Sequence, residues 1–334
     1  MAFKLRFNNT YRKRLFISYG RDWVLVVTMA IIFFAIDSIP PFHRQFSIND
    51  TSLMHTYAVN ESVPVWLLMF IAILIPILTI ISYAGFFRRN WIDFHSGLLG
   101  LGLALTMTIM MTDVVKITVG RPRPDLFERC KPPPGIQDPP LHLLNYTICT
   151  ADPYSYEMID GFKSFPSGHS SFSFAGLGYM AFYLAGKMHV FDKGGHTYKS
   201  FVFSFPFLGA LLIAISRVRD YRHHWSDVFV GAIFGTLFAY FSYRQYYPSL
   251  ESLDSHKPYP PRIKSSQDIF PDEDGRPNDV EQAITANDLE YGDFTDRPSP
   301  STSSTSATAT RPQQTKYAAH HIENQADSSS PFHC

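Results

Sequence analysis

The sequence predicts an all-α integral membrane protein: six transmembrane helices followed by a polar tail. Three observations carry this prediction. Apolar runs recur through the first 247 residues, the four tryptophans stand near the ends of those runs, and the composition changes after Tyr247. The mean hydropathy of −0.05 conceals the pattern, because it averages an apolar region with a polar one. The zero net charge is also a cancellation. Residues 1–250 hold 22 basic and 15 acidic side chains, whereas residues 251–334 hold 7 and 14. Such an asymmetry marks two regions with different solvents.

Residues 1–22 read as a basic cytosolic N-terminus (Lys4, Arg6, Arg12, Lys13, Arg14, Arg21) without the small-residue cleavage site of a signal peptide. The six-span domain is expected over 23–247. Trp23–Ile39, Val63–Phe87 and about His95–Val115 are each long enough for a bilayer core, which takes about 20 residues. Three later runs, about Phe172–Met188, Phe201–Ile215 and Val228–Tyr243, are shorter or more polar. Their serines and glycines suit helices that pack on helices, and Gly231 with Gly235 forms a GxxxG pair. Trp23, Trp66, Trp91 and Trp225 fit an aromatic belt.

An even number of spans places both termini on one side and the loops 40–62, 116–170 and 216–227 on the other. The basic N-terminus, Arg88 with Arg89, and Lys187, Lys193 and Lys199 assign the first side to the cytosol. Acceptor patterns for N-glycosylation begin at Asn49, Asn60 and Asn145, all in the opposite loops, which favours a lumenal or extracellular face for them. Cys130 and Cys149 share one of these loops. On an oxidising face they are a candidate disulfide, the alternative being two free thiols.

Chemistry concentrates in the same loops. Ser216–Asp227 (SRVRDYRHHWSD) packs ionisable side chains between two apolar runs, and ionisable groups at that depth read as functional. His223 and Asp227 are four apart, so a helix starting near Tyr221 would put them on one face. Asp227 would then accept from one imidazole nitrogen of His223 and leave the other nucleophilic. Arg217 offers a planar fork suited to phosphate. Lys116 is followed at a distance of seven by Arg123 and Pro124. Pro166–His169 leads into the fourth span, where Ser167, Gly168 and first-turn N–H groups suit an anion and His169 suits proton donation. Each piece also has a plain structural reading: a basic loop beside lipid, a snorkelling lysine, an ordinary helix cap. Adjacent residues on a helix point about 100° apart, so His224 is expected to hold structure, and Arg121, Arg219 and Arg222 to raise the local positive potential.

Together, K-x6-RP (Lys116–Pro124), PSGH (Pro166–His169) and SR-x5-H-x3-D (Ser216–Asp227) resemble the three-part signature of the type 2 phosphatidic acid phosphatase superfamily. The chain is most similar to its lipid phosphate phosphatase branch and the fungal diacylglycerol pyrophosphate phosphatases, through KITVGRPRPDLFERC, FPSGHSSFSF and SRVRDYRHHWSDVFVGAIFG. The resemblance covers about Trp23–Tyr247. It implies that His223 attacks phosphorus to give a phosphohistidine, that Asp227 orients it, and that His169 protonates the leaving oxygen. It also implies that Lys116, Arg123, Arg217, Ser167 and Gly168 hold the phosphate oxygens. No metal ligands and no cofactor are expected, the carboxylates near the motifs (Asp113, Asp125, Asp220, Asp227) forming no clustered set.

The expected substrates are lipid phosphates, chiefly diacylglycerol pyrophosphate and phosphatidate, with lysophosphatidate further off. The bilayer is the expected partner and nucleic acid is not one. The alternatives are a polyprenyl or dolichyl diphosphate phosphatase, a lipid phosphotransferase, and a non-catalytic lipid-binding scaffold. The protein is expected in an endomembrane (vacuole, Golgi or ER) or the plasma membrane. Residues 248–334 are expected to form a disordered cytosolic tail, with low complexity at Ser299–Thr310.

Overall fold

The computed structural model describes residues 9–192 and 194–263, with side chains from residue 13 onward. Six long helices follow one another: α1 Asn9–Asp37, α2 Val65–Phe87 (with π-helical stretches at Phe70–Leu74 and Ile81–Phe87) and α3 Trp91–Val119, then α4 Gly168–Met188, α5 Thr197–Arg219 and α6 Trp225–Tyr246. No strand is present among the described residues, only an isolated bridge between Phe46 and Leu144.

Five of the six helices are long and apolar enough to cross a membrane, and α4 is not among them. The reason lies in its position. Packed against α2, α3, α5 and α6, it meets protein on nearly every face. A helix shielded from lipid by other helices needs no apolar exterior. It still runs the height of the bundle, since Ser167 at its start bonds to Asp227 and Lys187 near its end bonds to Asp93. The core around it joins Ala72, Leu101, Phe172, Tyr179, Ala239 and Tyr243.

Close approach between α4 and α6 rests on the GxxxG pair. A Cβ at Gly231 would lie 2.7 Å from the Ser167 carbonyl oxygen, and one at Gly235 would meet the Ser171 carbonyl oxygen. Gly235→Leu is therefore expected to lower the thermal midpoint in detergent by about 5–10 °C through overpacking. Ile233→Leu, on a face 41% exposed, should leave it unchanged and serves as the control. Equal midpoints for the two variants would show that α4 and α6 do not meet here. Outward-facing residues such as Phe34, Phe205 and Leu237 are exposed, as lipid contact requires, and Trp66, Trp91 and Trp225 stand exposed at helix ends.

The loops 38–64, 120–167 and 220–224 gather at one end of the bundle. There Phe46, Leu53, Leu126, Leu144, Met158 and Phe162 form a second core, tied by a disulfide between Cys130 and Cys149, whose Cα atoms are 4.6 Å apart. Short helices at Leu126–Cys130 and Tyr156–Gly161 belong to this cap.

Two boundaries differ from the sequence reading. Residues 9–22 are not a separate N-terminus, because α1 is helical from Asn9, while residues 1–8 lie outside the described residues. Residues 248–263 are not a free tail: Ser255 is buried, the His256 carbonyl accepts from Lys187 at 2.7 Å, and Arg262 pairs with Asp22 at 2.5 Å. Polar side chains there satisfy buried groups at helix ends instead of dissolving in water. Lys187 and Lys199 are likewise buried against Asp93 and Asp192. Lys193 and residues 264–334, including Ser299–Thr310, lie outside the described residues.

Candidate active site

The three motifs converge at the capped end of the bundle. Gly120 ends α3 in the left-handed region at φ 56°, where glycine is unstrained, and the chain turns into Arg121–Pro124. Lys116 occupies the last turn of α3 with its Nζ 3.7 Å from an Asp113 carboxylate oxygen. A Cβ on Gly168 would lie 3.3 Å from that Nζ, so the first and second motifs touch. Gly168 opens α4, and its N–H is among the first-turn donors that have no intrahelical acceptor.

His223 stands before α6, not on it. The helix begins only at Trp225, since Tyr221 has φ 54° and the N–H groups of Arg222 and His223 both donate to the Arg217 carbonyl. This corrects the expected pairing of His223 with Asp227. The His223 Nδ1 instead faces the Ser164 carbonyl oxygen at 2.6 Å. A carbonyl only accepts, so Nδ1 carries the proton and Nε2 keeps a lone pair. Burial, aided by the charges of Arg123 and Lys116, holds the His223 imidazole well below its ordinary value of 6.5. A group of lowered basicity loses its proton at lower pH, so the ring is neutral at pH 6.5 and above.

Asp227 acts one residue further off. Its side chain is fully buried and accepts from Arg121 Nη1 at 2.5 Å, from Ser164 Oγ at 2.6 Å and from the His224 N–H at 3.1 Å. Ser164 therefore bridges the two, donating to Asp227 through its hydroxyl and accepting from His223 through its carbonyl. His224 is the N-cap of α6 and completes a capping box with Asp227, so it holds structure as expected. Arg121 does more than raise the potential, because it neutralises the Asp227 carboxylate.

His169 directs Nε2 at the Val63 carbonyl oxygen, 3.1 Å away. Arg123 is buried and committed: Nε donates to the Asp160 carbonyl, Nη2 to the Asp160 carboxylate at 2.6 Å, and Nη1 to the Arg222 carbonyl. Desolvation opposes ionisation of Asp160, but Arg123, Arg129 and Arg222 outweigh it and hold the carboxyl at about 2. Arg217, 1% exposed, donates to Glu61 and Asp220 at 2.9 Å each. Ser167 is fully buried, with its N–H on the Asp227 carbonyl and its Oγ accepting from the Ser170 N–H. Its hydroxyl is thus a helix cap, and its backbone ties α4 to α6.

Four groups escaped the sequence reading: Ser164, Asp160, Glu61 and the neutralising role of Arg121. Arg121 stood inside the first motif, and Ser164 three residues before the Ser167 cap. Asp160 and Glu61 carried no local signal, because their partners are far away in sequence.

Comparison with known proteins identifies the family. The PAP2 superfamily pattern matches residues 97–251, which contain all three motifs. A probable lipid phosphate phosphatase 4 of Arabidopsis thaliana is 40% identical over 233 residues, covering 68% of this chain and 72% of that protein. Diacylglycerol pyrophosphate phosphatase 1 of Saccharomyces cerevisiae is 38% identical over 242 residues, covering 71% and 82%. A probable diacylglycerol pyrophosphate phosphatase 1 of Schizosaccharomyces pombe is 38% identical over 240 residues, covering 71% and 85%. No solved structure matches the chain. The three motifs, their convergence at one end of an apolar helical bundle and the extent of these similarities make the chain a multi-pass membrane protein that belongs to the PAP2 superfamily.

Proposed function

We propose that this protein is a lipid phosphate phosphatase that converts diacylglycerol pyrophosphate to phosphatidate and phosphatidate to diacylglycerol, through a phosphohistidine and without Mg²⁺. The observation that carries the reading is the His223 tautomer. With Nδ1–H held by the Ser164 carbonyl, Nε2 offers a lone pair beside the cations of the first motif. The relatives named for lipid phosphate and diacylglycerol pyrophosphate supply the substrate class.

Two displacements complete the reaction. Nε2 of His223 attacks phosphorus, the P–N bond forms, and the bond to the leaving oxygen breaks as His169 delivers a proton to it. Water then attacks phosphorus, giving its proton to His169, and the P–N bond breaks to release phosphate and neutral imidazole. Asp227 acts through Ser164, fixing the carbonyl that sets the His223 tautomer. Lys116, Arg123 and Arg217, with the Gly168 N–H, stabilise the charge on the non-bridging oxygens. Ser167 serves by holding the start of α4 against Asp227. These fixed cations fill the role a divalent ion has in other phosphoryl transfers.

The site end of the bundle also carries the Cys130–Cys149 disulfide and the acceptor residues Asn49, Asn60 and Asn145. These features support a lumenal or extracellular site with cytosolic termini, in an endomembrane or the plasma membrane.

Phosphate release from phosphatidate and from diacylglycerol pyrophosphate, measured in detergent micelles with EDTA, tests the reading. Release is expected from both lipids, unchanged within a factor of about two by EDTA, since no charge at phosphorus is assigned to a metal. Activity lost in EDTA and restored by Mg²⁺ would overturn the metal-free mechanism. A correctly folded protein silent on both lipids would overturn the substrate class.

A further inference from the structure

The loop between α1 and α2 ends on the site. Residues 61–63 engage the groups that a lipid phosphate would need. One Glu61 carboxylate oxygen accepts from Arg217 Nη1 at 2.9 Å and the other pairs with Arg222 Nη2 at 3.1 Å. Ser62 donates to Asp220 through both its N–H, at 2.7 Å, and its hydroxyl, at 2.5 Å. The Val63 carbonyl accepts from His169. Upstream, His55 stacks on Tyr221 with ring centroids 4.3 Å apart.

Every nitrogen of the Arg217 guanidinium is already committed, Nε to Ser216, Nη1 to Glu61 and Nη2 to Asp220. With Glu61 on Nη1 and Asp220 on Nη2, the fork that a phosphate would take is already filled by carboxylates. One of the two has to leave first. Asp220 is the less free: its side chain is 7% exposed, three residues from Arg217, and it caps the C-terminal end of α5, the helix that carries Arg217. Glu61 is 22% exposed and sits on a loop.

We propose that residues 61–63 form a substrate-displaced lid, in which the Glu61 carboxylate occupies the seat that a lipid phosphate takes on Arg217. Displacing the lid frees the Arg217 fork, and through Val63 it also frees the Nε2–H of His169. One movement thus releases a phosphate ligand and the proton donor together, so an empty site keeps its acid engaged. The inference rests on the assignment of Arg217 and His169 to the reaction.

Inorganic phosphate is the probe. Its affinity for the full chain in detergent is read from the phosphate-dependent rise in thermal midpoint, a measure independent of turnover. Glu61→Gln keeps the shape but removes the competing charge, and is expected to bind phosphate about tenfold tighter, the loss of one charge-assisted bond. It should also lower the KM for phosphatidate. Ser62→Ala, which loosens the same segment without touching Arg217, is expected to shift phosphate affinity in the same direction by about two- to threefold. Equal or weaker phosphate binding by both variants, with lipid hydrolysis intact, would mean that Glu61 positions Arg217 and would overturn the lid. Loss of both phosphate binding and hydrolysis from the wild type would instead overturn the assignment of the site, and the lid with it.

Discussion

Replacing His223 by Gln is expected to lower kcat for phosphatidate by a factor on the order of 10⁴–10⁶, the range seen when a covalent nucleophile is removed. Gln can still donate to the Ser164 carbonyl, so the 4% exposed position should stay packed and the thermal midpoint near that of the wild type. Without an aromatic nitrogen lone pair there is no group to form the P–N bond. Wild type quenched during turnover of ³²P-labelled lipid should carry label that is labile in acid and stable in base, the behaviour of a phosphoramidate. His223→Gln should carry none. A variant that retains more than about a tenth of wild-type kcat would place the nucleophile elsewhere. Turnover by the wild type with no trapped label would favour direct attack by water.

The second large effect concerns Asp227. Arg121 donates to one of its oxygens, while Ser164 and His224 share the other. In Asp227→Asn one of these sets must face an NH₂ group, donor against donor. A fall in kcat on the order of 10³ is expected, comparable to what an Asp-to-Asn change does to a catalytic histidine elsewhere, with KM changed little because no phosphate contact is lost. The route of the effect is the informative part. Ser164→Ala removes the hydroxyl that reaches Asp227 but keeps the carbonyl that holds His223, so a loss of about tenfold is expected, the worth of one hydrogen bond to a charged group. If Asp227 oriented His223 directly, Ser164→Ala would be silent. If Asp227→Asn kept its kcat, the chain of Asp227, Ser164 and His223 would have no part in the reaction.

Both variants test a connection that sequence spacing misassigned. Four residues between His223 and Asp227 suggested a shared helical face, but spacing predicts a face only if both residues are helical. The turn at Tyr221 keeps His223 off α6, and its partner comes from the loop before α4. Local sequence held no sign that the Ser164 carbonyl would be that partner. Any backbone group can accept, and which one does is set by how α4 and α6 pack.

Much was nonetheless legible from the chain alone. Hydropathy runs of fixed length disclose membrane helices because a bilayer core has one thickness, and α1, α2 and α3 followed from that, whereas the runs of α4, α5 and α6 were shorter or more polar; of these, α5 and α6 are apolar enough in the structure to cross a membrane. The helix α4 was harder to read, since burial among helices removes the need for an apolar exterior. Its glycine and serine content pointed to packing instead, and the contacts at Gly231 and Gly235 bear this out. The three motifs supplied the candidates for the reacting groups, because phosphoryl chemistry needs a nucleophile, an acid and cations, and few residues supply them.

Sequence therefore determined the class of the fold and the family, and supplied the candidate residues of the site. Tertiary structure alone decided which groups face each other: Ser164 under His223, Asp160 beneath three arginines, Glu61 on Arg217, and residues 248–263 folded back on the bundle. The physical reason is range. Hydropathy and helix periodicity act over one or a few turns and are written locally. Ion pairs such as Arg217 with Glu61 join residues 156 positions apart, and only the packed helices bring them together.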